Sequence, residues 1–204
     1  MKHFLFLLSL ATVLTVAGCS NGENAGDSQD QPEKEEKQNE ESKDEEKNQD
    51  NESTTEDQNK AVKSALLDAQ MSLVKEIRSY NEKIVAVQSD LKTLSETKEE
   101  KEKEKLKTSI QEGASEAQEA SDQAVKAIES FEPEGELPED MKSQLDDALT
   151  DLKAYFKEAK SALDTPLEAD FSKADEKFKA FQEKISAMYK EVGLKAPNLS
   201  DEMK

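Results

Sequence analysis

The chain has 204 residues, with 28 Lys or Arg against 47 Asp or Glu and a net charge of −19. A surface this acidic repels phosphate backbones, which argues against nucleic acid as a partner. One His (His3) and one Cys (Cys19) leave almost nothing for a Ser-His-Asp or Cys-His relay, or for zinc held through N and S ligands. The expectation is a non-enzymatic protein with no catalytic residue, no metal and no cofactor.

The chain opens Met1-Lys2-His3, continues as a mostly apolar run from Phe4 to Ala17, and then reads Gly18-Cys19. One positive charge ahead of about 14 apolar or small residues is the pattern of an export signal. A membrane-spanning helix needs roughly 20 such residues, so the run is short for a permanent anchor. The residues Val16-Ala17-Gly18-Cys19 resemble the lipobox of bacterial membrane lipoproteins of the Gram-positive type, with Val16 standing where Leu is usual. The resemblance implies a diacylglyceryl thioether on Cys19, cleavage between Gly18 and Cys19, and loss of His3 with the signal peptide 1–18. It also implies a lipid anchor on the extracytoplasmic face of the cell membrane. Two acyl chains hold stably where one holds marginally. An exported chain with one unmodified Cys would carry a reactive thiol, which lipidation removes.

Residues 19–59 follow as lipidated Cys and linker. After Cys19 this stretch contains no Leu, Ile, Val, Phe, Met, Tyr or Trp, and its charges are acidic apart from Lys34, Lys37, Lys43 and Lys47. With nothing to bury, it cannot offset about 1–2 kcal/mol of ordering entropy per residue. A disordered acidic tether is expected, swollen by its own charge. Scattered carboxylates without a 12-residue loop and central Gly do not make a calcium site.

At Lys60 the composition changes, and apolar residues recur at spacings of three and four through the expected domain, 60–193. Segment one carries Val62, Leu66, Ala69, Leu73, Ile77, Tyr80, Ile84, Val87, Leu91 and Leu94; its one 4-4 step, Ala69-Leu73-Ile77, locally unwinds a coiled-coil stripe. Segment two carries Leu106, Ile110, Ala114, Ala117, Ala120, Ala124, Ile128 and Phe131. Segment three carries Met141, Leu145, Ala148, Leu152, Phe156, Ala159 and Leu163. Segment four carries Leu167, Phe171, Ala174, Phe178, Phe181, Ile185, Met188 and Val192. No stretch alternates with period two, so the fold class is all-α.

The punctuation divides the domain. Thr165-Pro166-Leu167-Glu168 reads as a capping box with Pro at the first helical position. Pro138 with Glu139 and Asp140 opens segment three, with acid at the positive helix end. Gly193 reads as a left-handed C-cap, and Glu132–Glu136 reads as a loop. Segments one and two meet without Gly or Pro; Thr97 with Glu100 suggests a second capping box and a turn near Ser95–Thr97, and one continuous helix of about 70 residues is the competing reading. Together these give an antiparallel four-helix bundle, or helical hairpins, with a projecting first hairpin. The stripes can satisfy one another within one chain, so a monomer is expected. The C-terminal tail, 194–204, is expected as a free end.

Three side-chain groups offer functional readings. The run Lys98–Lys105 holds no apolar residue, and its opposite charges are mainly sequence neighbours that do not face each other on a helix, so a frayed tip is expected there. Asp146, Asp147 and Asp151 read as a solvated acidic face. The aromatic set Tyr155, Phe156, Phe171, Phe178, Phe181 and Tyr189 reads as core. The architecture resembles small helical lipoproteins, some described as cell-wall-binding. On that resemblance the expected partners are the membrane, through Cys19, and another envelope protein; the alternative is a receptor holding a small ligand inside the bundle.

Overall fold

The computed structural model describes residues 49–204, with side chains from Glu56 onward. Among these residues every regular element is helical: α1 (Gln49–Glu96), α2 (Glu100–Glu129), α3 (Glu139–Ala162), a 3-10 turn (Pro166–Glu168), α4 (Ser172–Glu191) and α5 (Leu199–Glu202). The first four helices form two antiparallel hairpins, α1 with α2 and α3 with α4, joined side by side chiefly through α2 and α3.

The stripes meet along one core. Leu66, Ile77 and Ile84 of α1 face Ile110 and the small residues Ala114, Ala117 and Ala124 of α2, while Leu152, Phe156, Phe181 and Met188 fill the second hairpin. The Ala stripe brings α1 and α2 close together: a Cβ added at Gly113 would lie 3.3 Å from Val87 Cγ2. The aromatics interlock, with Tyr155 edge to face with Phe156 at 4.9 Å and tilted against Phe178 at 5.2 Å between ring centroids, spacings at which ring quadrupoles attract.

Segments one and two are separate helices, broken at Thr97, Lys98 and Glu99. The break is not made by the expected capping box. Glu99 is the N-cap of α2 without a side-chain cap bond, and Thr97 Oγ1 donates to Thr93 O at 2.8 Å. Its hydroxyl thus serves the end of α1, adding a second bond to a carbonyl that also accepts from Thr97 N at 3.0 Å.

The second expected box also fails to form. Thr165 makes no side-chain cap bond and only a three-residue 3-10 turn follows, so Leu167 sits outside the stripe and is exposed. Helix α4 instead starts at Ser172, where Asp170 Oδ1 accepts from Ser172 N at 3.0 Å and from its hydroxyl at 2.6 Å. These bonds hold the Asp170 carboxyl below its ordinary range, the hydroxyl first and the backbone amide second.

Pro138 does precede α3, with Glu139 and Asp140 in its first turn. Gly193 ends α4 at φ 72°. Leu194 N bonds Tyr189 O at 2.8 Å and Gly193 N bonds Lys190 O at 3.0 Å, the paired closure of a Schellman end.

Helix α1 begins well before Lys60, so residues 49–59, assigned by composition to the linker, are its first turns. Once a helix is nucleated each further residue adds a hydrogen bond cheaply. Gln49, Glu52, Glu56 and Gln58 are good helix formers, and acids at this end suit the macrodipole. At 1.5 Å per residue the helix is about 72 Å long.

The first hairpin outruns the second. Gln118 Nε2 donates to Asp164 Oδ1 at 2.9 Å and to Lys160 O at 3.4 Å, marking where α3 ends beside α2. Past that level α1 and α2 continue as an arm, tied by Lys83 Nζ to Glu116 Oε2 at 2.7 Å and by Ser109 Oγ to Asp90 Oδ2 at 3.0 Å. Val87 and Ile110 are buried, whereas Leu91, Leu94 and Leu106, nearer the tip, are half-buried. Two facing helices can cover only one flank of each other.

The run 98–105 is helical from Glu100. Glu100 meets Lys103 at 3.1 Å and Glu104 meets Lys107 at 2.7 Å. These opposite-sign pairs three residues apart support the first turns, and the expectation of a frayed tip had overlooked them.

Candidate functional site

The lipobox residues Val16, Ala17, Gly18 and Cys19 lie outside the described residues, as does the linker up to Asn48. Among the described residues, no helix is long and apolar enough to cross a membrane, and no three His, Cys, Asp or Glu side chains gather as metal ligands.

The acidic group on α3 is answered from within the fold. Lys184 Nζ of α4 lies 2.7 Å from Asp147 Oδ2 and 2.6 Å from Asp151 Oδ2. It also donates to Asp147 O at 3.2 Å. Hydrogen bonds that it donates to Asp147 and Asp151, in that order, push the Lys184 ammonium above its ordinary pKa. Asp146 is exposed and points elsewhere.

The aromatic set is core apart from Phe178, which is half-buried against it. Phe156 and Phe181 are almost wholly buried, as are Tyr155 and Tyr189. The apolar void among Leu66, Leu73, Leu145, Phe181, Tyr189 and Leu199 amounts to about 10 Å³, close to the space of one water-sized probe. A polar notch of about 260 Å³ opens instead beside the turn after α3, among Glu158, Thr165, Glu168, Asp170 and Lys173.

The most developed polar arrangement is one the sequence reading did not find. Segment 194–204 is not a free end: it turns back after Gly193 and lies along α1. Leu199 and Met203, one turn apart on and just after α5, are each 1% exposed. Leu199 closes the void just described, meeting residues of α1, α3 and α4.

Three side chains of α1 hold the segment. Gln70 Nε2 donates to Glu202 Oε2 at 2.5 Å. Arg78 donates through Nη2 and Nε to Lys204 O at 2.6 and 2.9 Å. Asn81 Nδ2 donates to Met203 O at 2.9 Å. From α4, Gln182 Nε2 donates to Ser200 Oγ at 2.9 Å.

Two tyrosines stand behind these amides. The Tyr155 hydroxyl donates to Asn81 Oδ1 at 2.5 Å, and the Tyr189 hydroxyl donates to Gln70 Oε1. Burial first, and the Asp175 charge second, push the Tyr155 phenol far above its ordinary pKa. Burial, then the Glu202 charge, push Tyr189 up to about 12. Both therefore remain neutral donors at any ordinary pH. Asn81 is itself 95% buried, at 5% exposure, and among the described residues no buried side-chain polar atom lacks a partner.

Comparison with protein-family models, with curated proteins and with solved structures gives no match for this chain.

Proposed function

We propose that this is a membrane-anchored, non-enzymatic lipoprotein of the cell envelope that works as a monomer. The lipid on Cys19 fixes it to the extracytoplasmic face of the cell membrane, and its helical domain is the module that engages another envelope protein. The observation that carries the reading is the register at the start of the sequence: the apolar run from Phe4 ends within Val16-Ala17-Gly18-Cys19, so its end, the small residues and the Cys coincide.

Other features support it. The polar, acidic stretch after Cys19 suits a spacer between a lipid and a domain. The phenols displaced furthest from their ordinary range, Tyr155 and Tyr189, are hydrogen-bonded to amides inside the fold, which gives their shifts a structural cause.

The test is fractionation of cells making the wild-type chain and Cys19→Ala. The wild type is expected with the membranes at the mass of a lipidated chain beginning at Cys19. The variant is expected released, or retained at the mass of the unprocessed precursor. Equal membrane retention and equal mass for the two would sink the reading.

A further inference from the structure

The stripe that α1 turns toward the core leaves out three apolar residues of the same helix, Leu67, Met71 and Val74. They stand four and three apart, the spacing of one helix face. Leu67 is 41% and Met71 67% exposed, and Val74 is half-buried at the edge of the core. Among the described residues the other exposed large apolar side chain is Leu167. Exposed apolar residues scattered singly are ordinary on a protein surface; three in phase on one helix make a face.

The charges around that face differ from those of the chain at large. At about 100° per residue, Lys60, Lys75 and Arg78 fall in the same strip as the three apolar residues, about 100° wide and about 27 Å long. All three cations are exposed, and no carboxylate falls inside the strip. Asp68 stands at its edge, accepting from Ser64 Oγ at 3.4 Å, and Glu82, one turn past its end, is paired with Arg78 at 3.5 Å. On a chain of net charge −19, this is an apolar strip framed by cations. Met and Arg are enriched where proteins meet, and a thioether adapts its shape to what covers it.

The frame decides the occupant. A surface that sets carboxylates beside its own apolar stripe is drawn to Lys60, Lys75 and Arg78, and one that sets cations there is repelled. Scale separates a helix from a membrane. A helix about 10–12 Å across covers the strip and little else, and charges beyond the screening length of about 8–10 Å reach it weakly. An anionic bilayer is negative too, but its breadth brings it against the acidic remainder of the chain.

We propose that the strip of α1 carrying Leu67, Met71 and Val74 is a docking face for an amphipathic helix of a partner protein, about five turns long, with carboxylates beside its apolar stripe. This rests on the reading of the domain as an interaction module, and it names the face that module uses and the chemistry of what it takes.

The test titrates the full chain with two synthetic helical peptides of about 18 residues, each with Leu at spacings of three and four. One carries Glu beside that stripe and the other Lys. The Glu peptide is expected to bind saturably, at least about tenfold more tightly than the Lys peptide. Leu67→Ser with Met71→Ser should weaken it at least about tenfold at unchanged helicity, since neither side chain belongs to the core cluster. Should that variant not fold, the wild type before and after hydrogen peroxide decides. Peroxide turns the exposed Met71 thioether into a polar sulfoxide, itself becoming water, whereas Met141, Met188 and Met203 are buried. Weaker binding after oxidation supports the face. No saturable binding of the Glu peptide, equal binding of the two peptides, or binding indifferent to both changes at the strip overturns the proposal. Vesicles of anionic phospholipid form the last arm, with Cys19→Ala so that no lipid anchors the chain. Vesicle binding that Leu67→Ser with Met71→Ser abolishes would give the face to a membrane and overturn the partner helix. Fractionation of Cys19→Ala is read separately, so the anchor and the docking face can each fail without the other.

Discussion

Asn81 occupies a position where an apolar residue would be the simpler choice, and it is satisfied from both sides: Tyr155 gives its amide oxygen a proton and Met203 O accepts from its nitrogen. Removing one member of such a buried set strands the others. Asn81→Ala is expected to cost about 1–3 kcal/mol, because Tyr155 and Met203 each lose a partner. In urea denaturation, Asn81→Ala combined with Tyr155→Phe should cost less than the sum of the single changes, by about 0.5–3 kcal/mol. Strict additivity would show that the two groups are not coupled. Tyr189 gives a pH prediction. Its pKa is raised from 10.0 to about 12 in the folded chain, so the folded state holds a proton that the unfolded state has begun to lose. The stability this provides is complete below pH 10 and drains away as pH climbs toward 12. A melting-temperature series should fall over that window, and Tyr189→Phe should flatten the part due to this phenol.

The helix ends show what the letters of the sequence carried and what they hid. The stripes, the stop at Gly193 and the start at Pro138 were legible because each follows from one residue's own covalent geometry or from many residues in phase. The two Thr-x-x-Glu matches misled because a hydroxyl can serve either side of a turn, and contacts elsewhere in the fold decide which. Thr97 turned back to α1, and Asp170 took the role expected of Thr165. The held segment was invisible for a different reason: its anchors are two apolar residues in a polar stretch, too few to show a period, and its readers on α1 look like ordinary surface amides. Gly193→Ala is expected to lower stability by about 1 kcal/mol, since φ 72° strains a residue with a Cβ. It should also raise hydrogen exchange at Glu202 and Met203 more than in α2. Asp170→Ala should cost about 1 kcal/mol in thermal melts by taking the acceptor from the first amide of α4, with little effect on exchange in segment 194–204.

For the molecule as a whole, α1 is the longest element. Its residues 56–61 are exposed, its middle carries the side chains that hold segment 194–204, and its last turns make half of the arm. Spin labels at Lys60 and Glu96 should report a single narrow distance of about 54 Å, the rise of an unbroken helix; a broad or shorter distribution would mean a joint within it. The arm and base should also differ in their response to truncation. Phe156→Ala, in the fully buried base, is expected to cost about 3–5 kcal/mol, whereas Leu94→Ala, half-buried near the tip, should cost well under half as much in the same denaturation assay.

That undivided helix also fixes where the chain can change length. One residue inserted between Gln70 and Asn81 would rotate everything beyond it by about 100°. Gln70, Arg78 and Asn81 would lose their common alignment, and the arm would swing away from its mate. The same insertion at Lys98, within 130–138 or within 163–171 would be absorbed locally. Length variation in this protein is therefore confined to its corners, and the register of its longest rod is inherited whole.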